Sequence, residues 1–231
     1  MNRDVLLENS ALRIFEKSAH NGVQKGEIGL VCSLHGVGKT AYLVHLSVDT
    51  LLQKKHVIHV SLGDSVEHIA TWYKNTCVSL SENTSMANEM HDELTKNRVI
   101  VNLSQRTDPV HIFTTMHALM SKGNFDVDVI VIDNYDLQLQ SSDMFLSSLR
   151  SFAIEANVAV WLSSSFNRED LRDEKNIPDF VTSRIPLFEV ALLLESQGDS
   201  VHLNLLKEHD EYPDDPLKLS LDGKSLLIKK E

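Results

Sequence analysis

Two cysteines, a shortage of basic charge and no long apolar run are what this 231-residue sequence offers first. Cys32 sits in an apolar run and Cys77 in a segment of helical periodicity, so the pair is no disulfide framework, and the chain reads as one for a reducing compartment, the cytoplasm. Lys and Arg number 22 against 33 Asp and Glu, a formal net charge of −11. A surface that acidic repels a phosphate backbone unless cations are gathered locally, which disfavours nucleic acid as a partner. No apolar stretch approaches the roughly 20 residues that cross a bilayer. The opening Met1-Asn2-Arg3-Asp4 leads into an amphipathic stretch rather than the apolar core of a signal peptide. The expectation is a soluble protein without a membrane partner. Repeats and low-complexity linkers are missing too. The 11 histidines form no His-Glu-x-x-His pattern and no Cys/His set has zinc spacing, so no structural metal is expected.

What is present is an ordinary globular composition, 42% hydrophobic and 24% charged, on a chain long enough for one sizeable core. One domain over residues 1–231 is expected. Runs rich in Val, Ile and Leu at Ile28 to Cys32, His56 to Leu62, Val99 to Leu103, Val127 to Asp133 and Val158 to Ser164 show little alternation, as strands buried on both faces do. Helical periodicity fills the gaps, roughly Gly38 to Gln53, Ser65 to Ser79, Ser85 to Lys96, Asp108 to Lys122 and Ser142 to Asn157. This alternation predicts an α/β fold, a mainly parallel central sheet flanked by helices. After a polar stretch from Arg168 to Arg184 come closely spaced strand-like runs at Leu187 to Glu195, Val201 to Lys207, Pro216 to Leu221 and Ser225 to Lys229. Asp222-Gly223 is a hairpin turn between the last two, so a C-terminal antiparallel extension of the sheet is expected, with Glu208 to Asp215 as an acidic loop.

The most specific motif is Ser33-Leu34-His35-Gly36-Val37-Gly38-Lys39-Thr40-Ala41, set between a strand and a helix. Glycines let a backbone curl until its N–H groups converge on phosphate oxygens, and the following helix presents the positive end of its dipole. Ser33 to Ala41 are therefore read as a phosphate-binding loop for a nucleotide. Lys39 supplies a charge to the β and γ phosphates, and Thr40 a hydroxyl to a magnesium ion. The glycine that usually opens the motif is Ser33 here, which suits binding better than optimised catalysis. Val127 to Asp133 is an apolar strand ending in a carboxylate, and Asp133 is the second magnesium ligand expected. Asp136 reads as a turn or helix-start residue, and Asp126 and Asp128 are expected to face solvent.

Together these segments resemble the RecA-like P-loop ATPases, and within them the branch of the KaiC proteins and of the ATPase domain of DnaB-type replicative helicases. Lys25-Gly26-Glu27-Ile28 is similar to that branch's Gly-Glu lead-in. Val60-Ser61-Leu62-Gly63-Asp64 lies where the helicases carry Ser-Leu-Glu-Met, and Leu162 to Arg168 where they carry Leu-Ser-Gln-Leu-Asn-Arg. The resemblance implies ATP with Mg2+ as the ligand. It places the water-polarising glutamate on Gly63, with Asp64 the adjacent carboxylate, and the γ-phosphate sensor on Ser165; Asp64 and Ser165 are the catalytic candidates. Leu206-Lys207-Glu208-His209 is similar to the Lys-x-Arg pair that reaches a neighbour's nucleotide, which makes Lys207 and His209 the trans-acting candidates.

The loops that carry DNA in that branch are poor in cations here. Asn134 to Asp143 has no Lys or Arg, and Asn167 to Arg184 sets Arg168, Arg172, Lys175 and Arg184 against Glu169, Asp170, Asp173, Glu174 and Asp179. The expected function is ATP binding with weak or partner-stimulated hydrolysis, serving as a switch or assembly factor with a protein partner or in a homo-oligomer. Two alternatives stand beside it, a DNA-stimulated motor or recombinase-type ATPase, and a non-catalytic scaffold with a vestigial loop.

Overall fold

The computed structural model describes residues 6, 7, 10, 12, 22–122, 126–171, 176–198, 200–213, 217–222 and 227–230. Their strands are β1 (Ile28–Leu34), β2 (Val57–Leu62), β3 (Arg98–Leu103), β4 (Val129–Asp133), β5 (Ala159–Phe166), β6 (Val190–Gln197), β7 (Ser200–Glu208), β8 (Leu219–Asp222) and β9 (Ile228–Lys230). The helices are α1 (Lys39–Leu52), α2 (Val66–Leu80), α3 (Thr84–Thr95), α4 (Pro109–Lys122), α5 (Ser142–Ala156) and the single turn α6 (Asp179–Thr182). All nine strands form one sheet in the order β3-β2-β4-β5-β1-β6-β7-β8-β9. It is parallel from β3 through β6 and antiparallel from β6 to β9. This is the α/β architecture with a C-terminal antiparallel extension that the patterning predicts.

Period-two geometry sorts the parallel strands onto two faces. Ile28, Leu30 and Cys32 of β1 share a buried cluster with Ile130, Ile132, Val160 and Leu162, closed by Ile112 and Met116 of α4 and by Phe145, Leu149 and Phe152 of α5. On the other face Val31, Val131 and Trp161 pack against Tyr42 and Leu43 of α1. Farther out, Val44, Val48 and Leu51 of α1 meet Ile69 and Tyr73 of α2 and Met90 and Leu94 of α3. Both faces are covered, so β1 and β2 are buried almost throughout and show no alternation. At Gly29 a side chain is excluded by packing. A Cβ there would lie 2.6 Å from Val23 Cγ2 and 2.8 Å from the Trp161 ring.

Capping follows the sequence in part. The Ser65 side chain accepts from His68 N at the start of α2, and Asp108 Oδ1 accepts from Val110 N at α4, whereas Asn83 caps α3. Several expectations are corrected. β3 is an edge strand and mostly half-buried, because no strand among the described residues lies beyond it. The run expected from Leu187 begins as a 3-10 turn, Ile185–Leu187, with Pro186 in its first positions, and extends only from Val190. Asp128 does not simply face solvent: it receives Lys25 Nζ at 2.9 Å and His56 N at 3.0 Å, tying the starts of three segments together, while Asp126 is exposed. Asp136 is a turn residue, its Oδ1 accepting from Gln138 N. β8 and β9 pair as expected, but Gly223 of their turn lies outside the described residues, as do Pro216, Ser225, Arg172, Asp173, Glu174, Lys175, Asp214 and Asp215.

The extension folds back over α1. Leu219, Leu221 and Ile228 join Tyr42 and Leu43 in one apolar cluster, and Ile228 N donates to His45 Nδ1 at 3.1 Å. Burial holds the His45 imidazole down at a pKa of about 4, with the Asp49 charge pulling it upward. The unfolded chain binds this proton at the ordinary value near 6.5, so the neutral ring stabilises the fold fully above that pH. The contribution is lost as pH falls through about 4. His45→Gln, which keeps an acceptor for Ile228 N, is expected to flatten the loss of stability between about pH 7 and about pH 4.5 by an amount of order 1–3 kcal/mol. Urea unfolding midpoints at the two pH values check it; an unaltered pH slope would mean that the ring is already charged in the fold.

Candidate functional site

β1 ends at Leu34 and α1 begins at Lys39, leaving four residues to reverse from strand to helix. Gly36 (φ 76°) and Gly38 (φ 119°) make the reversal in the left-handed region, where a Cβ would be strained. Gly38 is also the N-cap of α1 and offers no side-chain acceptor to the first helical amides. The first turn of α1 therefore presents donors toward the loop without a capping side chain to occupy them. His35 is exposed on the loop, its N–H donating to Phe166 O, and Val37 packs against the α1 cluster.

Beneath the loop lies a polar layer inside an otherwise apolar sheet. Lys39 is 7% exposed and its Nζ donates to Ser33 Oγ at 3.0 Å and to Leu34 O at 3.3 Å. Burial lowers the pKa of this ammonium from its ordinary value, and the Asp133 carboxylate, the next largest influence, raises it. Asp133 closes β4 and is fully buried. Its Oδ2 accepts from Thr40 Oγ1 at 2.7 Å, and its Oδ1 accepts from the hydroxyl of Ser163 on β5. Ser163 in turn accepts from Asn134 N at 2.8 Å, holding the chain as it leaves β4, where Asn134 adopts φ 69°. His59 on β2 completes the layer, with Nε2 4.0 Å from Asp133 Oδ2 and Nδ1 3.0 Å from Tyr73 Oη. Desolvation depresses its pKa to about 4 against the pull of Asp133. The ring is thus neutral near pH 7, and Asp133 has Thr40 and Ser163, not a cation, as its hydrogen-bond donors.

Two open clefts flank this layer at the carboxyl ends of the strands, where ligands enter sheets of this kind. One of about 480 Å³ is bordered by Gly63, Asp64, Asn102 and Asn134; the other, about 680 Å³, by His35, Asn134, Ser165 and Asn167. Gln105 and Arg106, from the loop after β3, line both. Gly63 has φ 112°, and Asn102 Nδ2 donates to the Asp64 carbonyl, which fixes the backbone of Asp64 and leaves its carboxylate at the cleft. Ser165 pairs in register with Ser33 and is half-buried.

Of the residues singled out from the sequence, Ser33, Lys39, Thr40 and Asp133 meet in one cluster, while Asp64 and Ser165 border different clefts. Lys207 and His209 are at the other end of the sheet. The buried Lys207 ammonium donates to the carbonyls of Pro186 and Phe188, and His209 Nε2 lies 3.3 Å from Glu27 Oε1, beside the start of β1. Arg184, from the polar stretch, pairs with Asp143 at 2.6 Å. Sequence reasoning does not select His59, Ser163 or Arg106. A histidine inside a largely apolar run such as Val57 to Leu62 is the available signal for the first. Ser163 and Arg106 give none, since a serine in a strand and an arginine in a loop are ordinary.

No family model matches the chain, and no curated protein matches it in sequence. Among solved structures, 557 chains resemble it, and likeness so widely shared marks an architecture rather than an activity. One of them is an ATPase domain, with a TM-score of 0.72 at 14% identity over 90% of this chain and 86% of that one. The likeness is one of fold: the mainly parallel α/β sheet with its C-terminal antiparallel extension is a RecA-like architecture.

The polar layer makes an internal contrast on one strand. Ser163→Ala removes both the donor to Asp133 and the acceptor for Asn134 N, and is expected to cost about 1–3 kcal/mol. Ser165→Ala, two residues on and half-buried, should stay within about 0.5 kcal/mol. Urea denaturation of the two variants beside the parent decides it, equal losses being the outcome against this geometry.

Proposed function

We propose that the chain is a single nucleotide-binding domain that holds ATP with Mg2+ through Ser33 to Ala41 and works as a nucleotide-dependent switch or assembly factor. The observation that carries this is the convergence of Lys39, Thr40 and Asp133 beneath a glycine-turned loop at the head of α1, with Thr40 Oγ1 and Asp133 Oδ2 2.7 Å apart. Lys39 binds the β and γ phosphates, and the loop amides with the α1 N-terminus hold the remaining oxygens. Thr40 and Asp133 are hard oxygen donors of the kind magnesium takes, directly or through water, so the donor set fits the ion. Bound there, Mg2+ would neutralise charge on the phosphates. Ser163 and Asn134 keep the Asp133 carboxylate turned toward Thr40. Ser165 and Asp64 are the residues proposed to face the γ-phosphate and the attacking water. Affinity with the KaiC and DnaB-type branch belongs to this reading, through the motifs quoted above.

Weak hydrolysis is part of the proposal. Gly63 carries no side chain where a water-activating carboxylate is expected, and Asp64 is one position along with a shorter reach. Loss of a positioned general base costs typically ~10²–10⁴ in rate. Asp64→Asn is therefore expected to change an already slow phosphate release by less than about tenfold.

Calorimetry with Mg2+ and ATP is the direct test, on the parent chain and on Lys39→Ala. Truncating one partner of a buried charge contact costs about 2–5 kcal/mol, so affinity should fall by about 30-fold or more. Phosphate release in the same samples, with and without single-stranded DNA, is expected to be low and unresponsive. Equal binding by both proteins would sink the assignment of Lys39; rapid DNA-stimulated release would replace the switch by a motor.

A further inference from the structure

The motif's opening position is occupied by a residue with a hydroxyl, and that hydroxyl touches the motif's lysine. Ser33 is fully buried near the end of β1. Its Oγ donates to Leu34 O at 2.7 Å and accepts from Lys39 Nζ at 3.0 Å, while Lys39 Nζ also reaches Leu34 O at 3.3 Å. A hydroxyl has one proton, and here it is given to the Leu34 carbonyl, so a lone pair is left for the ammonium. Ammonium, hydroxyl and carbonyl therefore form a closed triangle. A glycine at position 33 would leave only the Leu34 carbonyl corner.

We propose that Ser33 is a latch: its hydroxyl holds the Lys39 ammonium back on the wall of β1, and an incoming nucleotide must break that contact to recruit the lysine to its phosphates. This rests on the nucleotide reading given above and adds the residue that sets its affinity. The argument is one of competition. Lys39 is buried as a residue, and before binding its ammonium donates to the Ser33 hydroxyl and the Leu34 carbonyl. A hydrogen bond to a charged group contributes more than a neutral one, and burial in a low-dielectric layer strengthens it further. Every part of that interaction lost on binding is subtracted from the affinity for phosphate. The flanking geometry supports displacement over retention, because Ser33 lies on β1 behind Leu34 whereas the glycine loop and the start of α1 lie ahead of it.

Ser33→Ala and Ser33→Gly each remove the hydroxyl, and both are expected to bind ATP with Mg2+ about tenfold more tightly than the parent by calorimetry. Equal or weaker binding by both, with the parent binding normally, would overturn the latch and leave the nucleotide site standing. A second measurement needs no nucleotide. Acylation of lysines by a small amine-reactive ester, followed by peptide mass spectrometry, should modify Lys39 severalfold faster in Ser33→Ala than in the parent, with Lys207, also buried but at the far end of the sheet, unchanged. Lys39 labelling at the parental rate would overturn the latch. If no protein binds ATP and Lys39 labelling nonetheless rises, Ser33 does restrain the lysine, but the nucleotide reading fails and the latch falls with it. A rise at Lys207 as well would mean general loosening, and the proposal would fall.

Discussion

An ammonium and a carboxylate, both drawn into the protein at the head of the sheet's parallel part, constrain everything around them. Neither Lys39 nor Asp133 can be buried without partners, since an uncompensated ion in the interior costs several kcal/mol. The structure supplies those partners from separate elements: Ser33 and Leu34 on β1 for the lysine, Thr40 on α1 and Ser163 on β5 for the aspartate. Strand order follows from the same need. β5 lies between β4 and β1, so Ser163 meets Asp133 on one side while Ser165, two residues on, pairs with Ser33 on the other. His59 enters the layer uncharged, because a third buried charge there would have no counterpart.

Much of the fold is legible in the sequence because burial on both faces leaves a plain mark. Runs such as Val158 to Ser164, without alternation and bounded by helical periodicity, have few other uses. What misleads is context. Val99 to Leu103 looks as apolar as any central strand, but edge position is a property of the order of strands, and no local pattern encodes that order. Leu187 looks like the start of a strand, and the proline before it is at home at a first position of the 3-10 turn observed.

The site divides the same way. Lys39, Thr40 and Asp133 stand out because each has a fixed spacing from a strand end. Ser163 does not, since its role depends on lying beside Asp133 across two strands. Lys207 and His209 are suggested by likeness to a motif, and the pattern gives no hint that the lysine is tied to Pro186 and Phe188 within its own chain. Motif spacing reads along the chain; contacts such as these are made across it.

The closing of α1 by β8 and β9 bears on when the glycine loop and its helix become complete. The helix that begins at Lys39 has its outer apolar face covered by Leu219, Leu221 and Ile228, residues synthesised long after it. As the chain grows, the sheet's inner strands can assemble while this face of α1 is still bare, and the cover arrives only once those distant residues have cleared the ribosome. Maturation of the loop's helix is thus a long-range event, set by the slow pairing of segments far apart in the chain rather than by the local strength of the helix.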